Sequence, residues 1–132
     1  VIICNCLHEL SKVIVPQDVI LDIGCCYGES KKYFPENKVI GYDAVNSLET
    51  QLDEFYCMAV VNEENRREVP FAKNSNARLS KIGASTMIVP AVSFNSILKR
   101  HADATVLKID VEGYERCYDY KLVPPPPYGL CA

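Results

Sequence analysis

No apolar run in this 132-residue chain approaches the roughly 20 residues that cross a bilayer, so no transmembrane helix is expected. The opening Val1-Ile2-Ile3-Cys4 is too short for a secretory signal peptide and lacks its basic flank. Positive charge is not in excess: 14 Lys and Arg stand against 17 Asp and Glu, for a net charge of −3 and a pI near 5.4. That balance supplies no electrostatic footprint for nucleic acid or an anionic membrane. There are only two histidines, and Cys4-Asn5-Cys6 is C-x-C with no second pair at zinc-ribbon spacing, so no metal site is expected. The seven cysteines are odd in number and include the adjacent Cys25 and Cys26. This usage speaks against a secreted disulfide framework and for free thiols in a reducing cytoplasm. No internal repeat is found. The chain starts on Val1 rather than a methionine and is expected to be part of a longer protein.

What is present is an ordinary globular composition, 48% hydrophobic and 23% charged, of a length that suits one domain. The stretch that organises it runs from Asp18 to Gly28. Val19 to Ile23 is a short apolar run carrying one carboxylate, Asp22, and it breaks into a loop flanked by Gly24 and Gly28. Such a run ending in glycine reads as a buried parallel strand followed by a tight strand-to-helix turn. A second run, Val39 to Tyr42, ends in Asp43, 21 positions after Asp22. An acidic residue at that distance, at the end of the next strand, is where ribose hydroxyls are held.

Other elements fall around these two strand ends. Leu7, Leu10, Val13 and Ile14 mark a short amphipathic helix from Leu7 to Val15, ended by Pro16. A helix is predicted from about Glu29 to Phe34 and a weak one from Ser47 to about Asp53. Phe55 to Val61 reads as a third strand. Strand-like pieces near Glu68 to Phe71 and Thr86 to Val89 suggest an inserted β-hairpin within the polar stretch 62–90. Ser93 is a helix N-cap for residues up to about His101, and Thr105 to Val111 is a fourth strand. Strand and helix in alternation predict an α/β fold with a mostly parallel sheet flanked by helices and right-handed crossovers. Residues 1–115 form the expected domain, and 116–132 an irregular tail containing Pro124 to Pro127.

The candidate chemistry lies in two places. The loop spacing, Asp22-x-Gly24-x-x-x-Gly28, lacks the middle glycine of the pyrophosphate-binding G-x-G-x-x-G pattern, which disfavours a nicotinamide-linked oxidoreductase. S-adenosylmethionine, a ligand without phosphates, suits it better: Asp22 for the ammonium group, Gly24 for close backbone approach, and Asp43 for the ribose hydroxyls. The second place is Lys108-Ile109-Asp110-Val111-Glu112-Gly113. Its three charges alternate with apolar residues and share one face at a strand end, where ligands bind in open α/β sheets. The blander reading is a Lys108–carboxylate ion pair with solvated neighbours. His8 and His101 lie outside both places, and His101 is expected at the surface.

Val106-Leu107-Lys108-Ile109-Asp110-Val111-Glu112-Gly113-Tyr114-Glu115, preceded by Val89-Pro90-Ala91-Val92-Ser93-Phe94-Asn95-Ser96-Ile97-Leu98, resembles the FkbM-type methyltransferase family. The loop from Asp22 to Gly28 is similar to that family's first motif, and Asp43 falls at its acidic ribose position. Cys57 to Glu63, with Ala59, resembles the segment bordering the adenine, and Gly83-Ala84-Ser85-Thr86 a glycine-serine stretch of its inserted hairpin. The resemblance covers about residues 17 to 115. It implies a Rossmann-like sheet that binds S-adenosylmethionine and methylates a hydroxyl of a sugar or small-molecule acceptor; the charge balance adds the expectation of no nucleic-acid or membrane partner. Asp110 and Glu112 are the implied catalytic carboxylates. The family continues with a long helix and a fifth strand where this chain enters its proline tail. Residues 106–111 are therefore expected as an exposed edge strand, and a truncated, non-catalytic remnant is the alternative function. The oligomeric state is left open.

Overall fold

The computed structural model describes residues 2–44, 51–72, 86–111 and 114–123. In chain order the elements are β1 (Ile2–Cys4), α1 (Leu7–Leu10), β2 (Val19–Ile23), α2 (Glu29–Tyr33), β3 (Lys38–Tyr42), β4 (Glu54–Tyr56), β5 (Ala59–Val61), β6 (Glu68–Ala72), β7 (Thr86–Ser93), α3 (Phe94–Arg100) and β8 (Val106–Ile109). Two short 3₁₀ turns follow, Tyr114–Cys117 and Tyr120–Leu122. The main sheet has five strands in the order β1-β8-β2-β3-β4, and every pair in it is parallel. A second, three-stranded sheet runs β5-β7-β6, with β6 and β7 antiparallel as the expected hairpin requires. The fold is α/β and Rossmann-like.

The central strands are apolar on both faces because both faces are covered. Leu21, Ile23, Ile40, Leu107 and Ile109 pack against α3 through Phe94 and Ile97. On the other side Ile20, Val39 and Val106 meet Leu10 and Phe34. Continuous aliphatic runs of this kind are the signature of a doubly covered parallel sheet.

Several expectations are corrected. The fourth strand is not an edge: β1 pairs with β8 in parallel, Ile2 opposite Val106 and Cys4 opposite Lys108. Three apolar residues at the start of the chain thus occupy the place that seemed vacant, and β8 is interior. The helix expected to reach Val15 stops at Leu10. Val13 and Ile14 both donate to the Leu10 carbonyl, which tightens the chain into a turn, and Asp18 accepts from the Val15 amide. Pro16 disfavours a helical residue before it, yet Val13 and Ile14 still pack on the core.

The third strand is two strands. It breaks at Cys57 and Met58, so that β4 pairs with β3 and β5 crosses to β7. The weak helix from Ser47 falls mostly outside the described residues, and Gln51 to Asp53 are not helical. Within residues 116–123, Tyr118 and Val123 are buried. Tyr118 stacks on Phe94 with ring centroids 4.6 Å apart and donates to the Val60 carbonyl at 2.8 Å, and Val123 joins the same core. The proline run itself lies outside the described residues.

His101, expected at the surface, is 6% exposed. Its Nε2 lies within hydrogen-bond distance of the Tyr42 hydroxyl, at 2.8 Å, and burial pushes Tyr42 up to about 12, so the phenol keeps its proton. Burial lowers the His101 pKa, and Arg100 and Lys38 lower it too, against the opposing pull of Glu54 and Asp103. A folded-state value below the unfolded one of about 6.5 contributes stability that is complete above that pH and lost as pH falls through the folded value. The urea midpoint should therefore drop between pH 7 and pH 5, and His101→Gln should reduce that drop. An equal drop in the variant would assign the pH dependence to carboxylates instead.

Candidate active site

The chain reverses direction across the sheet between β2 and β8. From β2 it proceeds outward through β3 to β4, and it later returns through α3 to β8 on the other side of β2. The crevice outside the carboxyl ends of the strands at such a switch point is where open α/β sheets bind ligands. Four strand ends meet there: Ile23-Gly24 after β2, Asp43 after β3, Cys57 after β4 and Asp110 after β8.

Gly24 has a φ of +82°, and an ideal Cβ built on it would lie 2.0 Å from the Asp110 carbonyl oxygen. Glycine is required by the neighbouring strand end, which presses against it from β8. The same junction is stitched by backbone bonds, from Gly24 N–H to the Tyr42 carbonyl at 2.8 Å and from Asp110 N–H to the Ile23 carbonyl at 2.9 Å. Gly28, also left-handed, precedes α2 and closes the loop by donating to the Cys25 carbonyl at 2.8 Å. Cys25 is buried against Gly41, the residue of β3 that sits opposite Asp22. Cys26 is exposed at φ +50°.

Asp43 is half-buried, and its Oδ2 accepts the Cys26 N–H at 2.8 Å. One carboxylate thus ties the end of β3 to the glycine loop. Burial, then the charge of Asp43, raises the thiol pKa of both Cys26 and Cys57. Next to Asp43, the Ala44 carbonyl accepts from the Cys57 thiol at 3.7 Å. Ala44 also packs with Ala59 and Ala91, joining the two sheets. Ala59 is itself buried, at the start of β5.

Asp22 is completely buried: Ser30 Oγ donates to its Oδ2 at 2.5 Å and Lys108 Nζ lies 3.1 Å from its Oδ1. Lys108 is correspondingly buried, and its partner is the adjacent strand's Asp22 rather than a neighbour along its own strand. Burial works against the Lys108 charge, but Asp22 outweighs it and holds Lys108 above the usual lysine value. Asp110 follows the end of β8 and is exposed. Glu112 and Gly113 lie outside the described residues, as do Gly83 to Ser85. Ser30 carried no functional reading in the sequence; a small hydroxyl in the first turn after a glycine loop is the signal that marks it. Among the described residues no three His, Cys, Asp or Glu side chains are grouped to hold a metal, and no helix is long and apolar enough to cross a membrane.

This arrangement brings Asp43 and Asp110 to the carboxyl ends of β3 and β8, at the switch point of a Rossmann-like sheet. A family model described as the methyltransferase FkbM domain matches residues 24–117, and the chain belongs to that family. No curated protein and no solved structure matches it. The domain is that of a methyltransferase.

Proposed function

We propose that the chain binds S-adenosylmethionine across the ends of β2, β3 and β8 and methylates a hydroxyl oxygen of a sugar or small metabolite. The observation that carries this reading is Asp43: a half-buried carboxylate at the end of β3, anchored to the glycine loop through the Cys26 amide. The residues present fit the cofactor. Lys108 is engaged by Asp22, so the charges that Asp43 and Asp110 bring to the crevice are negative. Such a rim disfavours a pyrophosphate and favours a cationic ligand. The cofactor, when bound, supplies an electrophilic methyl group on a sulfonium.

The chain's own residues position and take up a proton. Asp43 accepts the ribose hydroxyls, and Gly24 brings the backbone of the β2 end close to the ligand. Ala59 belongs to the wall behind Asp43. Methyl transfer is an in-line displacement, so most of the acceleration comes from holding the acceptor oxygen in line. Asp110, exposed after β8, orients that hydroxyl and takes its proton in this reading. Its backbone is held against the end of β2, by the Ile23 carbonyl and by contact with Gly24. Glu112, two residues on, is the second candidate for that role.

The test is thermal unfolding with and without S-adenosylhomocysteine, followed by methyl transfer from labelled donor to a panel of sugars and small alcohols. Ligand at 100 times its dissociation constant adds about 2.7 kcal/mol, a rise of several degrees for a domain of this size. Asp110→Asn should keep that rise and lose most of the turnover. A sharp transition that ignores the ligand would favour a methyltransferase domain that no longer binds its donor. An active Asp110→Asn chain would retire Asp110 as the base.

A further inference from the structure

Among the described residues, one charged pair is buried, and the mechanism above gives it no work. Asp22 and Lys108 stand side by side in the β2–β8 register. Asp22 Oδ1 faces Lys108 Nζ at 3.1 Å. Lys108 Nζ also donates to the Gly24 carbonyl at 3.4 Å, and Ser30, in the first turn of α2, donates to the other oxygen of Asp22. The pair therefore bonds to residues at both ends of the loop, and Gly24, whose carbonyl it holds, also abuts the Asp110 backbone.

Stability is a poor explanation for this pair. Removing two charges from water is costly, and well-packed apolar residues of similar volume often serve the fold as well or better. What apolar residues cannot do is fix the direction of the Gly24 carbonyl and the α2 hydroxyl at once. The loop held between those two points carries the Cys26 amide that meets Asp43. We infer that Asp22 and Lys108 are positioning residues: from beneath, they hold the loop from Gly24 to Gly28 in the shape that lets it and Asp43 grip the adenosine end of the methyl donor. Neither touches the donor in this role. The inference rests on the S-adenosylmethionine reading for its ligand, and on the loop geometry alone for its structural part.

The double variant Asp22→Asn/Lys108→Met keeps the side-chain volumes and leaves an acceptor for Ser30 while removing both charges. It is compared with the unaltered chain by thermal unfolding, by amide hydrogen exchange, and by affinity for S-adenosylhomocysteine and for methylthioadenosine, which lacks the amino-acid end. The expected variant melts near or above the parent, yet its amides from Cys25 to Gly28 exchange roughly tenfold faster or more. Both ligands weaken by a similar factor, on the order of ten- to hundredfold. Unchanged loop exchange with unchanged affinity would overturn the inference and leave the pair merely structural. A loss confined to S-adenosylhomocysteine would overturn it differently, by showing that Asp22 meets the ammonium group directly. If the double variant does not fold, Ser30→Ala, which keeps the ion pair and cuts the link to α2, is read by the same loop exchange and two affinities. An unaltered chain that binds neither ligand would retire the cofactor reading, while the exchange comparison would still decide the role of the pair.

Discussion

Gly24→Ala should destabilise the chain by about 3–5 kcal/mol, a large part of the 5–15 kcal/mol that holds a typical domain folded. Two costs add. A non-glycine residue at φ +82° is held in a region that costs on the order of 1–3 kcal/mol. The new methyl would also sit 2.0 Å from the Asp110 carbonyl oxygen and 2.8 Å from its carbon. Those are backbone atoms of a strand end that is itself bonded to Ile23, so they cannot swing aside as a flexible side chain would. Relief requires β2 and β8 to part at the crevice, where overpacking of this kind typically adds about 1–3 kcal/mol more. Urea denaturation of parent and variant measures the difference. A shift below about 1 kcal/mol would mean that the two strand ends separate cheaply, and that the crevice is softer than its hydrogen bonds indicate.

Asp43→Ala should leave the fold standing and abolish measurable stabilisation by S-adenosylhomocysteine. The carboxylate does two things that alanine cannot: it accepts the Cys26 amide at 2.8 Å and, in the proposed complex, both ribose hydroxyls. Hydrogen bonds to a charged group contribute about 1.5–3 kcal/mol each. Losing two to the ligand corresponds to a fall in affinity of about a hundredfold or more, before any slackening of the loop is counted. Calorimetric titration reads this directly. Asp43→Asn keeps an acceptor for the Cys26 amide but removes the charge, so an affinity between those of parent and Asp43→Ala would separate the ribose contribution from that of the loop. An unchanged affinity in Asp43→Ala would remove Asp43 from the ribose role and direct attention to the other strand ends.

The two effects arise at one place for different reasons. Gly24 is constrained by what lies behind it, the Asp110 backbone, and Asp43 by what it holds in front, the loop amide. The first is a property of the folded chain alone. The second acquires its full meaning only with a ligand. Measuring both variants for stability and for binding therefore separates the making of the crevice from its use.

Local pattern alone determined the strands that carry the site. Val19–Ile23 and Val39–Tyr42 are aliphatic runs that end in a glycine loop and in an aspartate, and a run buried on both faces needs no partner to be recognised. Ser93 as a cap was equally legible, because its Oγ accepts from an amide only three residues away, that of Ser96. The Lys108-to-Glu115 block carried the family. Tertiary structure decided whatever depends on which strand lies beside which. Alternation puts Lys108 and Asp110 on one face of a strand, but only the β2–β8 register sets Asp22 against Lys108, burying one charge and leaving the other exposed. The pairing of β1 with β8 spans about a hundred residues and involves three apolar side chains that have no period to read. His101 looked exposed at a helix end because its partner, Tyr42, lies 59 positions away. Local propensity acts over a few residues and is written in their order. A parallel sheet pairs strands distant in sequence, and the burial and charge of each site follow from that pairing.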